Sequence, residues 1–128
     1  MNNTARLLSV AALLLPALSA AEPASEKLEF GRDVRAILSN NCFKCHGPDE
    51  KQRQAGLRLD QRDGATTKLE SGKVGIVAGK WSDSEIIARL TTDDADKKMP
   101  PPSSGKKVST EQIATLATFS MSMPPSVE

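Results

Sequence analysis

Asn40-Asn41-Cys42-Phe43-Lys44-Cys45-His46 is the stretch that decides how this chain is read. It holds both cysteines and the single histidine of the 128 residues. Cys-x-x-Cys-His is the spacing of covalent haem attachment. The thiols of Cys42 and Cys45 add across two vinyl groups as thioethers, and the imidazole of His46, one residue on, reaches the iron as proximal ligand. The motif therefore predicts covalent haem c, one per chain. Two other uses of these residues compete with haem attachment. A redox pair expects a βαβ setting, which this sequence lacks. A structural zinc site needs four ligands, and these three leave it incomplete unless a carboxylate joins them.

Upstream of the motif, the spacing predicts a helix over about 26–39. Phe30, Val34, Ile37 and Leu38 fall at i, i+4, i+7 and i+8, on one face. Asn40-Asn41 then ends it and leads into an attachment loop. Earlier still come a basic start at Arg6, an apolar run from Leu7 to Leu18 and small residues at Ser19, Ala20 and Ala21. This pattern predicts a signal peptide over 1–21, followed by a linker at 22–26. The apolar run is shorter than the ~20 residues a membrane span needs, so no stable span is expected after cleavage. The sequence therefore points to a periplasmic or otherwise exported protein. Its domain is expected over 27–122, with a C-terminal tail at 123–128.

Downstream, 47–54 is polar and carries Gly47-Pro48, the mark of an exposed loop. Short strand-like pieces at 57–60 and 74–77 offer a minimal two-stranded β element, with a brief helix over 61–70 between them. Ser82-Asp83-Ser84-Glu85 has the form of a capping box, Ser82 as N-cap and Glu85 at N3. The helix it opens would bury Ile86, Ile87 and Leu90 and end near Thr91. Residues 92–107 read as a long loop. Ser109 and Gln112 form a second capping pair before a last helix bearing Ile113, Leu116, Ala117 and Phe119, which Pro124-Pro125 stops. Loops of this length are uncommon in compact domains unless something organises them. The expected fold is mostly α, with short helices and long loops around the haem.

One histidine rules out bis-His ligation within the chain. Met99 follows His46 by 53 positions, between Lys98 and Pro100-Pro101-Pro102. A loop stiffened by three prolines can hold a thioether at iron, and Met/His ligation raises the potential. The alternative for Met99 is a flexible filler of core gaps, and its polar and proline-rich flanks make it a poor one. Met121 and Met123 are the other thioethers outside the leader.

Removing residues 1–21 takes only Arg6 from the 17 Lys+Arg and none of the 16 Asp+Glu. The remainder is formally neutral, which argues against a nucleic-acid footprint. Lys44, Lys97, Lys98, Lys106 and Lys107 offer a basic ring round a haem edge, but Asp93, Asp94 and Asp96 share that region. Large apolar residues are few: three Phe, one Trp and no Tyr. A domain this small is marginal on side chains alone, and a buried porphyrin would add apolar bulk. Trp81 is expected to pack against the haem or the helix it precedes.

Several of these stretches together resemble the planctomycete-type cytochrome c domain. They are Phe30-Gly31-Arg32-Asp33-Val34-Arg35-Ala36-Ile37-Leu38, Asn41-Cys42-Phe43-Lys44-Cys45-His46-Gly47-Pro48-Asp49, Gly56-Leu57-Arg58-Leu59-Asp60, Ile76-Val77-Ala78-Gly79, Lys98-Met99-Pro100-Pro101-Pro102 and Ser109-Thr110-Glu111-Gln112-Ile113. The likeness covers roughly 27–117. It implies a class I-like cytochrome c fold, thioethers at Cys42 and Cys45, and iron ligands at His46 and Met99. It also implies that the first and last helices cross, bringing the Phe30 face against Ile113 and Leu116. Two features depart from the pattern. Members commonly carry an aromatic-rich last helix, where this chain has Ala117-Thr118-Phe119-Ser120-Met121-Ser122-Met123. They are also usually the N-terminal module of longer exported proteins.

The expectation is a monomeric, exported monohaem cytochrome that passes single electrons between partner proteins and is not itself an enzyme. The alternatives are the haem module of a longer enzyme and a five-coordinate haem that binds small ligands.

Overall fold

The computed structural model describes residues 27–124. The leader and linker expected over 1–26 lie outside them, as does the end of the tail at 125–128. Five α-helices follow in order: α1 (Arg35–Asn41), α2 (Phe43–His46), α3 (Arg62–Thr66), α4 (Glu85–Thr91) and α5 (Thr110–Ser122). A π-helical turn at Phe30–Val34 opens α1, and 3₁₀ turns occupy Trp81–Asp83 and Pro102–Ser104. The expected architecture, mostly α with short helices and long connections, is what is observed. No described helix is long and apolar enough to cross a membrane.

Val34, Ile37 and Leu38 are buried at i, i+3 and i+4, while Arg35, Ala36, Ser39 and Asn40 face solvent. The helix starts later than expected and continues through Asn41. At its N-terminus the Asp33 carboxylate accepts the Glu29 N–H at 2.8 Å, which fixes the opening turn. At the other end the chain does not leave the helix at Asn40-Asn41. The Cys42 N–H donates to the Leu38 carbonyl at 2.7 Å, and α2 restarts one residue later.

In α5 both halves of the second capping box are present. Gln112 N–H donates to Ser109 Oγ at 3.2 Å, and Ser109 N–H donates to Gln112 Oε1 at 2.9 Å. Leu116 and Ser120 are buried one turn apart. The helix stops at Met123, whose ψ of 128° is the extended value that a following proline, Pro124, imposes. Phe30 and Phe119 join the first and last helical elements, with ring centroids 5.8 Å apart and planes tilted by 45°. Ile113 and Leu116 belong to the same apolar cluster. The atypical last helix thus keeps the crossing through Phe119.

Two local expectations fail. Residues 57–60 and 74–77 do not pair as strands, and the sole bridge among the described residues joins Lys68 and Val74. Their backbone groups find other partners. Leu59 N–H donates to the His46 carbonyl and Ile76 N–H to the Ala65 carbonyl, both at 2.8 Å, while Val77 N–H donates to Ser84 Oγ at 2.9 Å. The brief helix between them is shorter than expected, at Arg62–Thr66. The first capping box also does not form. Ser82 sits inside the 3₁₀ turn, and Ser84 is the residue before α4. Ser84 and Ser120, both fully buried, bring their hydroxyls to 3.4 Å. Ser84 Oγ also donates to the Lys80 carbonyl and Ser120 Oγ to the Val77 carbonyl. This node ties α4, α5 and the 74–80 segment together.

Candidate functional site

A cavity of about 670 Å³ opens beside α2, within the range of cofactor pockets. Cys42, Cys45 and His46 form part of its wall. They sit at i, i+3 and i+4 of one helical turn, which puts them on one face. Four backbone bonds hold that turn. Cys45 N–H and His46 N–H both donate to the Cys42 carbonyl, at 3.1 and 2.8 Å. Gln54 N–H donates to the Cys45 carbonyl and Leu59 N–H to the His46 carbonyl, each at 2.8 Å. The expected attachment loop is thus a helical turn, continuous in its hydrogen bonding with α1.

Leu57, Leu59, Leu69, Ile86, Leu90, Pro100 and Pro101 make the rest of the wall largely apolar. α4 contributes Glu85, Ile86, Arg89 and Leu90, a face that sequence periodicity assigned only in part. Ile87 and Leu90 point into the core, whereas Ile86 is half-buried against the cavity. Spacing at i, i+1, i+4 and i+5 was the available signal for this second face.

Met99 lines the same cavity as His46. Its N–H donates to the Arg89 carbonyl at 2.9 Å, so the loop is anchored to α4 at the methionine itself. The other two thioethers lie elsewhere: Met121 is 56% exposed, and Met123 is buried in the core beside a second, smaller cavity. Trp81 takes no part in the main cavity, so the first of its two expected packing partners is not met, and it is 43% exposed where it opens the 3₁₀ turn ahead of α4. The basic ring does not assemble either. Lys44 and Lys106 reach the cavity wall, but Lys97 pairs with Asp94 at 2.9 Å and Lys98 donates to the Thr92 carbonyl at 2.8 Å.

The state of the three motif residues bears on the groups they can hold. Burial pushes the Cys42 thiol up to about 11, against a smaller opposing effect of Lys106. A thiol held protonated is a poor redox or zinc-binding thiolate. Cys42 and Cys45 are not joined as a disulfide. Among the described residues, no three His, Cys, Asp or Glu side chains cluster to hold a metal ion. Burial also holds His46 below its ordinary value, countered by the Gln54 backbone, which favours a neutral ring with a free lone pair. His46 Nδ1 is buried without a hydrogen-bond partner. An apolar cavity with two unpaired thiols, a neutral imidazole and a thioether on its walls fits a haem.

The family model described as Planctomycete cytochrome C matches residues 42–103, from the first cysteine to the turn after the three prolines. Comparison with curated proteins and with solved structures returned no match. The matched span contains all four candidate residues and most of the cavity wall. Over residues 42–103 this chain matches the planctomycete cytochrome C family, the one its sequence resembles.

Proposed function

We propose that this protein is an exported monohaem c-type cytochrome that carries single electrons between partner proteins. Cys42 and Cys45 provide the thioether sulfurs, and His46 and Met99 provide the two iron ligands. When bound, the haem supplies an iron that alternates between ferrous and ferric states, one electron at a time. The chain holds and tunes that group. The helical turn of α2 keeps both sulfurs and the imidazole in fixed register. Burial keeps the His46 ring neutral and able to ligate. Apolar walls from Leu57, Leu59, Ile86 and Leu90 limit water at the site, and a thioether ligand favours the reduced state. The observation that carries this reading is the meeting of Cys42, Cys45, His46 and Met99 on one apolar cavity. Export rests on the leader pattern at 1–21 and the partners on electron transfer itself.

The test uses protein produced with its haem attached. The oxidised form should show the methionine–iron charge-transfer band, and the reduced form should not bind carbon monoxide. Met99→Ala should lose the band and gain carbon monoxide binding. A wild-type protein that binds carbon monoxide would instead be a five-coordinate ligand-binding haem. A band that survives in Met99→Ala would move the ligand to another residue.

A further inference from the structure

Arg89 stands at the point where α4 meets the Met99 loop, and three bonds converge there. Its backbone carbonyl accepts the Met99 N–H at 2.9 Å. Its Nη1 donates to the Lys97 carbonyl at 3.3 Å, two residues before the methionine. Its Nε donates to Glu85 Oε1 at 2.8 Å, one helical turn back. Both Arg89 and Glu85 lie on the cavity wall with Met99.

We propose that Arg89 is a positioning residue for Met99, its guanidinium tying the methionine loop to α4 and setting how firmly the thioether is held at the iron. This rests on the ligand reading given above. The geometry of the guanidinium matters, because a planar fork presents separate donors in fixed directions. One donor is spent on Glu85, which orients the fork. A second is then aimed at the Lys97 carbonyl. A lysine has one nitrogen and cannot hold both positions in that way. The other bonds in this loop do a different job. Lys97 to Asp94 and Lys98 to the Thr92 carbonyl close the turn on its own beginning, whereas Arg89 fastens it to the last turn of α4. The competing explanation is a half-exposed i,i+4 ion pair that merely supports a short helix. The two explanations separate at the iron, not in the stability of the fold.

The experiment compares haem-loaded wild type, Arg89→Gln, Arg89→Lys and Glu85→Gln. It follows carbon monoxide uptake by the reduced protein and the temperature at which the methionine–iron band disappears. Global unfolding is followed by circular dichroism. Loss of a hydrogen bond from a charged donor should shift the ligation equilibrium by about tenfold. Arg89→Gln should therefore take up carbon monoxide where wild type does not and lose the band well below its global melt. Arg89→Lys should behave similarly, and Glu85→Gln should fall between it and wild type. Should Arg89→Gln not accumulate in folded form, Arg89→Lys gives the same decision. Arg89 variants that exclude carbon monoxide and keep the band up to global unfolding would overturn the proposal, even with a lowered melt. Carbon monoxide binding by wild type would overturn the ligand reading first, and the proposal with it.

Discussion

A Cβ placed on Gly47 would lie 2.3 Å from the Phe43 carbonyl oxygen and 3.0 Å from its Cα, both rigid backbone atoms of α2. The constraint is space, since the backbone of Gly47 is extended. Because Gly47 directly follows His46, relief of the clash would have to move the turn that carries the imidazole. Gly47→Ala should therefore cost about 1–3 kcal/mol, the usual range for overpacking. Urea unfolding of the haem-loaded protein would measure it, and an unchanged midpoint would show that the turn yields freely. The sequence read Gly47-Pro48 as a turn, which gives no hint of this close approach. Cys42, Cys45 and His46 were legible because covalent attachment chemistry dictates their spacing. Met99 could be singled out by its proline-rich setting. Arg89 could not, because its role depends on a carbonyl eight residues further on that only the folded loop brings back.

At the scale of elements, two capping boxes of the same form had opposite fates. Ser109 and Gln112 close theirs, with both reciprocal bonds made at the start of α5. Ser109→Ala should lower stability by about 0.5–2 kcal/mol, the usual cost of a lost N-cap. Ser82→Ala, by contrast, should leave the thermal midpoint unchanged, because Ser82 Oγ reaches only the exposed Asp83 carboxylate at 3.4 Å. A paired set of thermal melts checks both, and equal losses would contradict the structure. The difference lies in tertiary context. Around Ser109 the chain is exposed and local preference decides, whereas after Trp81 it is Ser84, not Ser82, that is drawn into the interior. The missing β pair has a similar origin. Leu59, Ile76 and Val77 have strand-like neighbours, yet their N–H groups are taken by His46, Ala65 and Ser84.

Across the whole molecule, the helices and their apolar faces were readable, but the way loops 47–61 and 92–107 are held was not. Those loops take their shape from bonds to distant backbone, such as Gln54 to Cys45 and Met99 to Arg89. No periodicity encodes such bonds. The Ser84–Ser120 node is another case, 36 residues apart in sequence and fully buried. Ser84→Ala would leave the Val77 N–H without its acceptor, at a cost of about 1–3 kcal/mol. Chemical denaturation would report it, and a near-neutral result would mean that another acceptor reaches Val77.

That node also bears on how the protein can change over generations. Once one hydroxyl is gone, the other has already lost its neighbour, so removing both should cost less than the two single losses combined. Ser84 and Ser120 are therefore coupled positions written at two distant codons, each also keeping its own backbone partners. A lineage that replaces one with an apolar residue opens the way for the other to follow. Among relatives, the two positions should be found both hydroxylated or both apolar more often than mixed.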